Sequence, residues 1–187
     1  MNVVKTDIPG LLIIEPKVYE DARGYFFESY NEEAFFKAGI QEKWVQDNQS
    51  RSVYGVIRGL HYQLEPFAQS KLVRVIEGEI YDVAVDIRKG SPTYKKWYGI
   101  KLSASNFRQL YIPKGFAHGF SVLSPTAIVL YKCDALYNPS SERGIVSDDP
   151  DLGINWLIPS DHIVLSPKDR NLPLFKDAEN NFVFSGI

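Results

Sequence analysis

Lys71-Leu72-Val73-Arg74-Val75-Ile76-Glu77-Gly78-Glu79-Ile80-Tyr81-Asp82-Val83-Ala84-Val85-Asp86-Ile87 is the stretch on which the fold turns. Two β-prone runs flank a single glycine. The spacing predicts strands over Lys71–Glu77 and Ile80–Ile87, joined as a hairpin around Glu77-Gly78-Glu79. In the second arm Tyr81, Val83, Val85 and Ile87 share one face, and Asp82 and Asp86 share the other. On either side the strand spacing continues, with Leu11–Glu15, Tyr25–Tyr30, Trp97–Leu102, Gln109–Ile112, Phe120–Leu123 and Ala127–Tyr131. Glu32–Ala38 reads as a short helix that Gly39 ends. The last ~40 residues are richer in Pro, Asp, Ser and Asn, which predicts loops and short helices. Many short strands at this spacing imply a mainly β sandwich or barrel, the class that holds jelly rolls and cupins.

Bulk composition narrows the function. A chain of 187 residues fits one domain, 1–187, and can bury a core without staples. The net charge of −2 argues against a nucleic-acid polymer or an anionic membrane as partner. The single cysteine, Cys133, rules out an internal disulfide and a Cys-rich metal site, and a reducing cytoplasm is the simple expectation. Met1–Asp7 has no apolar signal core, and no apolar run is long enough to span a bilayer, so a soluble protein is expected.

The chemistry-bearing residues cluster in two segments. Gly55-Val56-Ile57-Arg58-Gly59-Leu60-His61-Tyr62-Gln63 and Ile112-Pro113-Lys114-Gly115-Phe116-Ala117-His118-Gly119-Phe120 carry two of the three histidines. Imidazole is the default proton carrier near neutrality and a common metal ligand. His61 and Gln63 lie two apart and so share a face of a strand. Metal is the weaker reading. A metal cupin supplies a His-x-His pair, a glutamate shortly after and a later histidine; here the pair is His61-Tyr62-Gln63, and Phe67 or Ala68 stands where the glutamate would fall. One or two imidazoles and an amide make a poor cage, so no metal is expected. The Gly-rich signatures of dinucleotide and ATP sites are absent from the sequence, and no cofactor is expected.

Lys71 shares parity with Val73 and Val75, but Leu72 and Ile76 occupy the other parity, so hydrophobicity does not choose its face. Pattern alone favours a strand-end lysine in solvent. Tyr131 shares a face with Ala127, Val129 and Cys133, as a core tyrosine would. Arg23 beside Tyr25, Phe26 and Phe27 suits a phosphate and a stacked base, or simply a core. Asp169, in Lys168-Asp169-Arg170, either orients a histidine across space or sits on a surface loop.

Taken in order, these segments resemble the dTDP-4-dehydrorhamnose 3,5-epimerase family. The landmarks are Asp21-Ala22-Arg23-Gly24-Tyr25-Phe26-Phe27-Glu28, Gln46-Asp47-Asn48, Arg58 to Gln63, Lys71-Leu72-Val73 and Asp82 to Arg88. They continue with Ile112 to Phe120, Tyr131-Lys132, Tyr137-Asn138-Pro139, Glu142-Arg143-Gly144-Ile145 and Leu165-Ser166-Pro167-Lys168-Asp169. The resemblance implies a metal-free, cofactor-independent cupin-type jelly roll that forms a homodimer, with N-terminal strands at the interface. It implies His61 as general base oriented by Asp169, Tyr131 as general acid and Lys71 as the cation for an enolate oxygen. Arg58 and His118 would hold the diphosphate and sugar. Arg23, Phe26, Glu28, Gln46 and Asn48 would line the nucleotide side, some from the partner subunit, and Tyr137, Glu142 and Lys168 would complete the pocket. The implied reaction converts dTDP-4-dehydro-6-deoxy-D-glucose to dTDP-4-dehydro-L-rhamnose. Ala135, Leu136 and Val146-Ser147-Asp148 depart from the family's more polar or aromatic pattern and leave regiospecificity open. The alternatives are a single-centre 3- or 5-epimerase, a 3,4-ketoisomerase and a noncatalytic sugar-nucleotide-binding cupin.

Overall fold

A computed structural model describes residues 1–186. In chain order the strands are β1 (Asn2–Lys5), β2 (Leu12–Glu15), β3 (Tyr19–Asp21), β4 (Gly24–Phe26), β5 (Gln46–Val53), β6 (Ile57–Gln63) and β7 (Lys71–Glu77). They continue as β8 (Glu79–Asp86), β9 (Trp97–Ser103), β10 (Gln109–Ile112), β11 (Phe116–Val122), β12 (Thr126–Cys133) and β13 (Glu142–Gly144). Helix α1 covers Glu32–Lys37 and α2 covers Pro167–Arg170. One antiparallel sheet runs β1-β2-β10-β7-β12-β5, a second runs β13-β6-β11-β8-β9, and β3–β4 form a separate hairpin. The two large sheets face one another as a jelly roll.

The expected hairpin between β7 and β8 does not form. β7 pairs on both edges within the first sheet, with β10 and β12, and β8 pairs within the second, with β11 and β9. Gly78 is instead the corner where the chain changes sheets. Its φ is +78°, and a Cβ there would stand 2.1 Å from the Thr126 carbonyl oxygen. The Glu79 amide donates to Ser124 Oγ at 2.8 Å and pins the corner. The apolar faces of the two arms then stack rather than pair: Val73 and Val75 meet Ile80 and Ala84 in the buried interior with Leu110, Ile112, Phe120 and Val129. Burying each large aliphatic side chain of this kind contributes about 1.5–3 kcal/mol.

Each sheet is also covered on its outer face. Val83, Val85 and Ile87 pack under Leu152, Trp156, Phe175 and Phe182 from the C-terminal segment, which is loops, α2 and two short 3-10 turns around β13. Ile14, Leu72 and Tyr111 pack under Phe35 of α1 and Ile40. Asn31 caps α1, its side chain accepting from the Ala34 amide at 3.0 Å. The strand expected over Tyr25–Tyr30 is confined to β4. Beyond it Phe27 leaves the ladder to join Tyr25 and Phe107 in an aromatic cluster. Among the described residues no helix is long and apolar enough to cross a membrane.

Candidate active site

The cleft is built where β6 and β11 approach most closely. His118 pairs with His61, yet Phe120 pairs with Arg58, so β6 carries one extra residue at Gly59. The bulge changes parity. Leu60 and Tyr62 face outward into the covered side, while Arg58 and His61, three apart, both line the interior cavity. Gly59 has φ +120°, and a Cβ there would meet the Gly119 Cα at 2.6 Å and the His118 carbonyl oxygen at 2.7 Å. Only glycine permits that contact without displacing backbone.

A cavity of about 460 Å³ is lined by Arg58, His61 and His118 from the second sheet, Ser50, Lys71 and Tyr131 from the first, and Lys168 and Asp169 of α2. An adjoining cavity of about 310 Å³ shares His61, Lys71 and Tyr131, and adds Gln46, Asn48, Tyr137 and Glu142. The base and acid candidates therefore stand on opposing sheets of one continuous cleft.

His61 Nε2 lies 2.7 Å from Asp169 Oδ1, and the carboxylate is buried. Burial pushes the Asp169 carboxyl up, but the His61 hydrogen bond and charge, the Gly59 amide and Ser166 outweigh it and hold it below the usual aspartate value. Ser166 also caps α2 by accepting from the Asp169 amide at 3.0 Å, which fixes the carboxylate's aim. His118 Nε2 lies 2.8 Å from Asp82 Oδ1. Burial lowers the His118 value against the opposing pull of Asp82, with Lys71 and His61 adding to the fall.

Lys71 points inward, contrary to the solvent placement that pattern alone favours. Its Nζ stands 5.8 Å from the Tyr131 ring centroid. Burial pushes the ammonium's pKa down, while Cys133, Asp82 and Glu142 pull it back up. The Tyr131 hydroxyl moves the opposite way, raised first by burial and then by Cys133 and Glu142 against Arg58.

Glu142 joins the cleft's rim. It accepts from Tyr137 Oη at 2.7 Å and pairs with Lys168 Nζ at 2.6 Å. Gln63 is occupied structurally: its amide donates to the Phe67 and Leu136 carbonyls and accepts from the Asn138 amide, tethering the Tyr137 loop. Arg23, Phe26 and Glu28 do not reach this cleft within the chain. Arg23 pairs with Asp21 at 2.6 Å on the β3–β4 hairpin, Phe26 is 68% exposed, and Glu28 accepts from Asn31. Among the described residues no group of three or more His, Cys, Asp and Glu side chains is placed to hold a metal ion. Sequence alone does not mark Ser50 and Ser166 as cleft residues, nor Asp82 as the buried partner of His118. Asp82 carried a signal, as a carboxylate on the same strand face as Ile80 and Ala84.

Residues 5–177 match the family model for dTDP-4-dehydrorhamnose 3,5-epimerase. The chain belongs to this family. It is 56% identical over 180 residues to the dTDP-4-dehydrorhamnose 3,5-epimerase of Shigella flexneri, covering 96% of this chain and 98% of that protein. Among solved structures, the epimerase of Elizabethkingia anophelis superposes with a TM-score of 0.91 at 53% identity, covering 95% of this chain and 97% of that one. The dTDP-6-deoxy-D-glucose-3,5-epimerase of Legionella pneumophila, solved in complex with dTDP-4-keto-L-rhamnose, gives a TM-score of 0.91 at 51% identity, covering 94% and 93%. The epimerase family's jelly roll is thus the fold described above.

Proposed function

We propose that the chain epimerises dTDP-4-dehydro-6-deoxy-D-glucose at C3 and C5 through an enolate at C4, in dTDP-L-rhamnose biosynthesis. The observation that carries this reading is His61 on one sheet, hydrogen-bonded to Asp169 of α2, across the cavity from Tyr131 on the opposing sheet, with Lys71 on the strand beside Tyr131. Inversion removes a proton from one face of a carbon and returns one to the other. A base and an acid on facing walls meet that need without turning the sugar over.

The C4 ketone acidifies the C3 and C5 hydrogens, but they remain far weaker acids than an imidazolium. Each unit of that mismatch costs about 1.4 kcal/mol, so His61 alone does not carry the step. Lys71 supplies a preorganised cation at the oxygen where charge develops. Asp169 holds the His61 tautomer and stabilises the imidazolium. Tyr131, kept protonated by burial, delivers the proton on the far face. Gln46 and Asn48 line the nucleotide side, Tyr137, Glu142 and Lys168 complete the pocket, and Arg58 and His118 lie nearer the diphosphate and sugar. Arg23, Phe26 and Glu28 act from a second copy of the chain in a homodimer, which accounts for their exposure here. The protein works in the cytoplasm, without metal or cofactor.

Incubation with this substrate in heavy water tests the assignment. Deuterium at both C3 and C5, with inversion, is the expected outcome. His61→Asn should lose about 10²–10⁴-fold in exchange while keeping the fold. Tyr131→Phe should retain exchange and lose inverted product. Label at one carbon makes the enzyme a single-centre epimerase, and bound sugar without label makes it a binding cupin.

A further inference from the structure

On β5, Gln46, Asn48, Ser50 and Ser52 alternate with exposed residues and form a stripe along the cleft wall. Their partners on β12 are Cys133, Tyr131, Val129 and Ala127. Three of the four polar side chains are engaged. Gln46 donates to Asn48 Oδ1 at 3.0 Å and accepts from the Tyr137 amide, Asn48 donates to Cys133 Sγ, and Ser52 Oγ accepts from Arg58 Nε at 2.9 Å. Ser50 Oγ is the exception: it is buried and has no hydrogen-bond partner among the described residues. It lines the larger cavity with His61, Lys71 and Tyr131. A buried hydroxyl left unpaired is costly, and native structures keep few of them. One held at a cavity wall beside the acid and the cation is poised for a ligand atom.

We propose that Ser50 is a substrate-binding residue whose Oγ hydrogen-bonds the C2 hydroxyl of the hexulose ring. This rests on the epimerase reading. The C4 oxygen is assigned there to Lys71, and C3 and C5 lie between His61 and Tyr131. The sugar's remaining hydroxyls are at C2 and C3. The C3 hydroxyl changes face when C3 inverts, so a fixed donor on one wall suits it in only one of the two epimers. The C2 hydroxyl keeps its configuration throughout. It is also next to C1, through which the ring is tied to the nucleotide, and Asn48, one step along the stripe from Ser50, lies toward that end. A grip at C2 anchors the ring while both neighbouring centres react.

The test compares wild type with Ser50→Ala on dTDP-4-dehydro-6-deoxy-D-glucose and on its 2-deoxy analogue. Ser50→Ala is expected to lower kcat/KM about 5- to 30-fold on the full substrate and to leave it unchanged on the analogue. Its Tm without substrate should equal or exceed that of wild type, since the hydroxyl makes no bond to lose. Equal losses on both substrates, no loss on either, or a lowered Tm would each overturn the assignment. Wild-type protein that exchanges no deuterium into the full substrate would instead overturn the epimerase reading itself.

Discussion

Lys71 shows what a single residue's surroundings decide. Both faces of β7 are buried, Val73 and Val75 in the interior and Leu72 beneath α1, so alternation of hydrophobicity offers no choice of face. Its inward aim came only from the fold. The consequence is a pH dependence. Burial lowers the Lys71 ammonium's pKa, so the charge proposed to act at the enolate oxygen is lost on the alkaline side at a pH below the ordinary lysine value of about 10.4. Tyr131 shifts upward and remains a proton donor through that range. Lys71→Arg keeps its charge at every accessible pH. Its kcat should be reduced, with the alkaline limb of the pH–rate profile displaced upward. A limb that stays in place would belong to another group. His61 stands out in the sequence by residue type, whereas Tyr131 reads by strand parity as a core tyrosine and is singled out by the family resemblance alone. Ser50 is not legible there, because β5 is polar along its length and shows no apolar period.

The bulge in β6 is the element on which the site depends. A regular strand would place Arg58 and His61 on opposite faces, and the one extra residue at Gly59 brings them to the same side. Gly59→Ala therefore acts twice. The φ of +120° and the 2.6 Å approach to Gly119 make alanine strained, by about 1–3 kcal/mol from the backbone alone. Thermal unfolding should show that loss, and kcat should fall beyond what the lowered stability explains, because any relaxation rotates Arg58 or His61 out of the cleft. Native Tm together with native kcat would count against the bulge's role. The glycine itself is plain in the sequence, but a glycine within a strand marks a bulge, a bend or a close approach alike. Gly78 carries the same ambiguity: two apolar arms around a glycine stack face to face as readily as they pair edge to edge, and only the competition of β10, β12, β11 and β9 for their edges decides it.

At the scale of the molecule, the β3–β4 hairpin holds Arg23 and Phe26 away from the cleft of its own chain, with Tyr19, Tyr25 and Phe26 exposed. If these residues serve a neighbouring cleft, two inactive variants should rescue each other. Arg23→Ala and His61→Asn, each alone a poor enzyme, form on mixing a heterodimer with one complete site. Random exchange of subunits should restore about a quarter of wild-type activity. Mixing without recovery would place Arg23 in its own chain's reaction or outside it. The class of fold was readable from strand spacing, whereas the partition of strands between two sheets was set by long-range pairing that no local pattern records.

The proposed acid and base, Tyr131 and His61, are carried by different sheets, and nothing covalent fixes the gap between them except distant turns. That gap is the thickness of the interior layer formed by Val73, Val75, Leu110, Phe120 and Val129. The core thus serves as a calliper on the two walls, sheets stacked in this way lying about 10 Å apart. Trimming a valine far from the sugar would close the jaws slightly, and enlarging one would open them. Proton-transfer geometry, and with it the balance between the two stereocentres, then depends on the packing behind the cleft as well as on the side chains that line it.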